Sequence, residues 1–300
     1  MKPSVLILSD IEGSSGCWGY TGSSFMTEGW RRGCVEMTRD VNAVVTALFE
    51  AGVKHITVQD FHRTGYNLLP ELIDPRAVVR SGYRRGPVPG IGDPGHAEVV
   101  MLLGMHAASG TGGFLPHTLT SRIARLEVNG RPMAEVELFS ASLAPFGIRP
   151  IFFQGCPVAC AQAKEAIEGI DVYPIDKTLG PEGFDAPSWR AGLAREAVRS
   201  LKNETTVPYT PKGPFKAVIT MRDGAEEAQR LARRWGFRQE GAQIFLEAQT
   251  IQALYQDLIR LCYLTPLVEK MLPFALLWHR AVGRLGLQVV RRWLKGKEMK

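Results

Sequence analysis

The sequence predicts an α/β fold: a doubly wound, mostly parallel sheet, a smaller C-terminal α/β domain and a basic amphipathic C-terminal helix. Three observations carry that expectation. Short apolar runs alternate with segments of helical periodicity, the pattern of βαβ units. The first three of these runs end at residues that ligate metals: Asp10 and Glu12, then Asp60 and His62, then His106. A proline-rich stretch, Val207 to Pro214, divides a first domain (1–206) from a second (207–265), and the segment 266–300 stands apart by its charge.

Composition sets the bounds. A chain of 300 residues with 45% hydrophobic content buries a sizeable core. The apolar run Val5 to Leu8 is too short for a signal peptide, and no stretch reaches the roughly 18 apolar residues of a spanning helix. Five scattered cysteines (Cys17, Cys34, Cys156, Cys160 and Cys262) read as reduced thiols in a cytoplasmic protein. The net charge is +6, and the segment 266–300 alone supplies +6, with eight basic residues against two acidic. The remaining body is neutral, which argues against a nucleic-acid surface.

The first strand, within Lys2 to Ser9, is followed by Asp10-Ile11-Glu12-Gly13. In strand alternation Asp10 and Glu12 share a side, and two carboxylates there repel unless a cation lies between them. The polar loop that follows, with Gly13 to Gly16 and Thr21 to Ser24, lacks the ending of a P-loop and the spacing of a dinucleotide fingerprint. Val35, Val41, Val44, Val45, Leu48 and Phe49 recur at helical spacing over 27–51, and Gly52 stops that helix. The strand His55 to Asp60 completes a right-handed βαβ unit, so its carboxyl end lies beside that of the first strand and brings His62 near Asp10 and Glu12.

Residues 70–94 read as loop and short elements, and the strand Val99 to Leu103 leads to His106. His117 closes the glycine-rich loop that follows. A single histidine is more often a core or surface residue, but three in equivalent loops, with two carboxylates already there, point to a metal. Asn129-Gly130 predicts a hairpin between Ile123–Val128 and Arg131–Val136, with Glu135 and Glu137 as undistinguished acids on its second arm. Strand Ile148 to Gln154, helix Pro157 to Ile167, strand Asp171 to Ile175 and helix Ser188 to Leu201, capped by Ser188, complete the first domain. The second reads as strand 215–221, helix 225–235, strand 243–247 and helix 250–264. In the tail, Leu267, Met271, Phe274, Trp278, Ala281, Leu285, Val289 and Trp293 recur at intervals of three or four, with a break near Pro273. Two occupants of that stripe stay open: an anionic membrane surface, which would make the protein peripheral, or protein.

Asp10-x-Glu12-Gly13, Asp60-x-His62, Gly104-x-His106, Pro116-His117 and Asn129-Gly130-Arg131-Pro132-x-x-Glu135 resemble, in order and spacing, the motifs of the zinc-dependent D-aminopeptidase metallopeptidases. The resemblance spans roughly residues 4–264. It implies a ring-like homo-oligomer acting on a small peptide or amide, and two Zn²⁺ ions. Asp10 resembles the carboxylate that bridges them, Glu12 and His106 would complete one site, His62 and Glu135 the other, and His117 looks like the catalytic histidine. Zinc takes imidazole and carboxylate ligands and leaves a position open for water. Asp60, two residues before His62, is placed to hold an imidazole N–H.

Two departures limit the transfer. Where the family pattern has an acidic Gly-Asp-Asp turn, this chain has Gly155-Cys156-Pro157-Val158, and the tail after Thr265 has no counterpart. A related amidohydrolase with a non-peptide amide substrate, and a non-catalytic zinc-stabilised scaffold docked through the tail, therefore stand as alternatives.

Overall fold

The computed structural model describes residues 2–298, and of Glu298 the backbone alone. Strand β1 (Val5–Ser9) is buried at every position. Leu6 and Leu8 enter one core while Val5 and Ile7 enter another, so both faces of the strand are apolar. That is the pattern of a parallel strand covered on each side.

A one-turn helix, α1 (Tyr20–Ser23), lies within the segment expected to be loop. Helix α2 (Glu28–Glu50) is capped by Thr27, whose hydroxyl accepts the Trp30 N–H at 3.0 Å. Strand β2 (Ile56–Asp60) pairs with β1, and β3 (Val78–Arg80) with β2, all parallel. The chain then crosses to the other side of β1, where β4 (Val99–Met105) pairs parallel to it. The loops after β1 and β4 therefore diverge at a topological switch point, the place where open α/β sheets form binding crevices.

The predicted hairpin is shorter than its alternation suggested. Strand β5 (Ile123–Val128) turns at Asn129-Gly130 into β6, which is only Arg131–Pro132. Pro132 lacks an N–H to continue the ladder, and helix α3 (Glu135–Leu143) begins three residues later. Glu137 accepts the Ala134 N–H at 3.0 Å, so the two acids expected on a strand instead occupy the first turn of a helix.

Strand β7 (Arg149–Gly155), helix α4 (Pro157–Ala166) and strand β8 (Asp171–Pro174) complete the parallel sheet, in the order β3-β2-β1-β4-β7-β8. Helix α5 (Ala186–Ser200) is capped by Asp185, which accepts the Ser188 N–H at 3.0 Å, and not by Ser188 itself. It packs on α2, and Arg190 reaches across to Asp40 at 2.8 Å and Glu36 at 2.7 Å. Asp40 also accepts the backbone N–H and the hydroxyl of Ser15, both at 2.7 Å, which ties the loop after Glu12 to α2.

Beyond Pro214 lie β9 (Phe215–Met221), α6 (Ala225–Trp235), β10 (Arg238–Glu240), β11 (Gln243–Ala248) and α7 (Ile251–Tyr263). Their strands join β5 and β6 in one antiparallel sheet, ordered β10-β11-β9-β5-β6. This second sheet thus takes strands from both sides of the proline-rich stretch.

The tail forms α8 (Pro266–Lys270) and α9 (Leu272–Glu298), with the break at Met271. Pro273 lies in the first turn of α9, where no intrahelical N–H is needed. The distal half of α9 packs on the body mainly through a different face from the predicted stripe, though Trp293 of that stripe also packs against the core. A Cβ on Gly283 would lie 2.3 Å from the Tyr66 ring, and one on Gly286 2.5 Å from Phe25, so only glycine permits this approach. Leu287 and Val290 are buried beside them, and Arg291 holds Glu71 with bonds of 2.7 and 2.9 Å. Among the described residues, no helix is long and apolar enough to cross a membrane.

Candidate metal centre

Glycine and one glutamine shape the crevice between β1 and β4. Gly104 takes φ +74°, and a Cβ there would lie 1.9 Å from the Asp10 carbonyl oxygen. That close approach lets Asp10 N–H donate to Leu103 at 2.8 Å and Gly13 N–H to Gly104 at 2.7 Å. The Gln154 side chain accepts Gly104 N–H at 2.6 Å and donates to the Gly13 carbonyl at 2.8 Å, joining three strand ends. Lys177 adds a clamp from beyond β8: its ammonium donates to the carbonyls of Ser14 and Cys17 and lies 4.5 Å from the centre of the Trp18 ring. Burial lowers its pKa to about 8.

Asp10, Glu12, His62, His106 and Glu135 are all buried and meet in this crevice. His62 Nδ1 lies 2.9 Å from Asp10 Oδ1 and 3.1 Å from Glu12 Oε2. His106 Nε2 lies 3.4 Å from Asp10 Oδ2 and 3.5 Å from Glu135 Oε2. The ring of His117 stacks on that of His106, with centroids 3.7 Å apart and planes 9° from parallel. Leu115 and Leu119 take positive φ on either side of His117, at 43° and 63°, a strained course that holds the ring there.

Each imidazole has one nitrogen tied to a backbone carbonyl: His62 Nε2 to Ser23 at 3.0 Å, His106 Nδ1 to Ala107 at 3.2 Å, His117 Nδ1 to Leu115 at 2.9 Å. An N–H donated to a carbonyl fixes the tautomer and leaves the other nitrogen's lone pair for a ligand or proton.

Asp10, Glu12 and His106 offer ligand atoms within 4.8 Å of one another, as do His106, His117 and Glu135. Direct contacts also join His62 to Glu12 and His106 to Glu135, with Asp10 touching both rings. One expectation is corrected here: Asp60 does not hold the His62 ring. It accepts the backbone N–H of His62 at 3.3 Å and of Leu68 at 2.9 Å, the Asn67 amide at 3.0 Å, and the Asn67 N–H. It thereby folds the loop that carries His62.

The electrostatics are those of a cation site. Burial would raise the Asp10 pKa, but hydrogen bonds from His106 and His62 hold it well below the carboxylate range. Glu135 is lowered likewise, against burial, by the charge of His106. Burial would lower both imidazoles, yet Glu12 and Asp10 raise His62, and Glu135 and Asp10 raise His106, well above 6.5. Among the described residues, histidines are the only ion-pair partners of Asp10, Glu12 and Glu135. Glu12 Oε2 and His106 Nε2 are buried and meet only the ion-pair contacts just given, with no further hydrogen-bond partner. Buried groups met only in this way are costly unless something else satisfies them, and carboxylate oxygen with imidazole nitrogen is a donor set that fits zinc.

Gln154, Asn67 and Lys177 escaped the sequence reading. Gln154 had a signal, as the one polar residue closing an apolar strand; the other two are brought in by loops with no local pattern.

The chain as a whole is similar to known proteins. The chain matches the D-aminopeptidase family, peptidase family M55, over residues 1–258. It is 25% identical over 256 residues to a D-aminopeptidase of Bacillus subtilis (strain 168), covering 83% of this chain and 90% of that protein. Its fold is similar to that of the solved Zn-dependent D-aminopeptidase DppA from Bacillus subtilis, described as a self-compartmentalizing protease. The TM-score is 0.76 at 21% identity, covering 87% of this chain and 97% of that one. The chain belongs to the D-aminopeptidase family of metallopeptidases.

Proposed function

We propose that this chain is a dinuclear zinc hydrolase that cleaves the amide bond of small peptides or aminoacyl amides. The observation that carries the reading is the convergence of Glu12 Oε2 and His106 Nε2 on Asp10 in one small volume, both buried and met only by the site's own acids and imidazoles. Asp10, Glu12 and His106 would hold one ion, and Asp10, His62 and Glu135 the other. Bound zinc supplies a Lewis acid and a water acidified toward neutrality. His62 and His106 present Nδ1 and Nε2 respectively, because their other nitrogens are tied to carbonyls. His117, with Nδ1 occupied by Leu115, keeps Nε2 to take the proton of the attacking water and return it to the leaving amine. The stacked His106 ring fixes where that nitrogen points.

Further support for an enclosed, ring-like homo-oligomer comes from the self-compartmentalizing assembly of the structural relative. All five cysteines are free, which fits a reducing compartment such as the cytoplasm. A second reading has one specific observation behind it: Cys156, buried at the start of α4, offers no carboxylate where the family pattern is acidic, which favours an amide substrate without a free ammonium group.

The deciding experiment measures metal content of the purified chain and its hydrolysis of D- and L-aminoacyl amides, dipeptides and N-acylated amides, with and without chelator. Two zinc ions per chain and chelator-sensitive cleavage are expected. Metal-free protein whose hydrolysis ignores chelator would overturn the assignment, and cleavage of N-acylated amides alone would select the second reading.

A further inference from the structure

The proximal half of the tail turns its apolar side chains away from the protein. Leu267 is 71% exposed, Phe274 65%, Leu277 59%, Trp278 74% and Leu285 57%. In α9, Leu277 and Trp278 lie three and four residues after Phe274, and Leu285 seven after Trp278, so these four share one helix face, with Leu267 exposed ahead of them on α8. The body covers a different face through Gly283, Gly286, Leu287 and Val290, and leaves this one open. The segment also lies beyond the residues 1–258 that match the family.

Beside that face is a cleft of about 560 Å³ between α9 and the loop after β3. Arg80, Arg84, Arg85 and Arg280 line it, with Leu277 at its edge and Asp93 as its one acid. None of these four arginines has an ion-pair partner among the described residues, whereas Arg260 and Arg291 are both engaged by carboxylates. Arg80 donates only to the Asp93 carbonyl, at 2.8 Å. Burial and the neighbouring Arg84 lower its pKa, so the cleft holds positive charge closer together than its own groups favour.

We infer that this surface docks on an anionic phospholipid membrane, with Leu267, Phe274, Leu277, Trp278 and Leu285 entering the acyl boundary and the four-arginine cleft taking lipid phosphates. An apolar helix face bordered by basic residues and carrying a tryptophan is the composition that lies in a bilayer interface. Arginine is the side chain suited to bidentate phosphate recognition. A second copy of this chain complements the patch less well. Two-fold pairing would bring the arginines against arginines, and the nearest tail carboxylate, Glu269, is held by Arg260 at 2.8 Å.

The test is sedimentation of the full chain with vesicles of phosphatidylcholine alone or mixed with phosphatidylglycerol. Binding is expected to the mixed vesicles only, and to weaken with salt. Arg84→Gln and Arg280→Gln should each cost about five-fold in binding, the factor that corresponds to one basic residue near an anionic surface. Phe274→Glu with Trp278→Glu should abolish it while melting temperature and hydrolysis stay unchanged. Binding to neither vesicle, or unaltered binding by the double variant, overturns the inference. So does a wild-type chain that ignores vesicles but forms an oligomer which the double variant breaks, for then the face is a contact between copies.

Discussion

At the scale of single residues, the site is a set of acids and imidazoles that balance one another's charge without a basic side chain. His62 and His106 have folded pKa values raised above 6.5, so their contribution to stability is full below that value and is lost as pH rises through the folded ones. Asp10 and Glu135 are shifted down, so theirs is present above the ordinary carboxylate range and is lost as pH falls through their lowered values. A metal must displace the imidazole protons. Zinc affinity of the metal-free chain should therefore climb as pH rises from 6 toward 8, with net proton release. Titration calorimetry in two buffers of different ionisation enthalpy reads that release, and a buffer-independent heat would contradict it. His117→Ala should lower turnover by about 100- to 10,000-fold while metal content, measured by emission spectroscopy, stays at the wild-type level. Loss of the metal instead would make His117 a ligand.

Much of this site was legible because its chemistry is carried by residue types that are rare at strand ends. Asp10, Glu12, His62 and His106 each lie within three residues of the end of a parallel strand, and parallel strands align their carboxyl ends. Glu135 was not legible from periodicity, since Arg131 to Val136 alternates as a strand does. Only the family motif marked it, and Pro132 explains why the chain leaves the ladder there. Asp60 was misread because two residues of spacing suggests contact with the His62 ring, while the loop actually curls back through Asn67 and Leu68 to surround the carboxylate.

Among the elements, β1 and β4 matter most, and their approach rests on one position. Gly104 combines a left-handed φ with a carbonyl oxygen only 1.9 Å from where a Cβ would stand. Gly104→Ala should cost about 3 kcal/mol or more, since neither strain nor clash can relax without moving the Asp10 backbone. Chemical denaturation gives the stability, and metal binding should weaken in the same variant because Asp10 moves. A wild-type denaturation midpoint would show that β4 yields freely at this point. The tail shows the opposite case. Its repeat of apolar residues announced a helix, but two glycines, invisible to a hydrophobic pattern, chose which face meets the body.

For the molecule as a whole, the strand order was harder to foresee than the strands. The parallel sheet follows from local βαβ handedness, whereas the pairing of β5 with β9 joins segments some ninety residues apart in sequence, and nothing local encodes it. The division at residue 206 follows proline composition, while the hydrogen bonds of the second sheet cross it.

That crossing makes the stretch between Val207 and Pro214 a tether more than a frontier. A protease that severs it would sever nothing else: β5 would remain zipped to β9, and the amino-terminal fragment, which owns every candidate ligand, would still lean on the carboxyl-terminal fragment for its floor. The two fragments should co-elute on gel filtration after the cut and keep their metal. Produced separately, the amino-terminal piece should lose solubility until its missing half is added back.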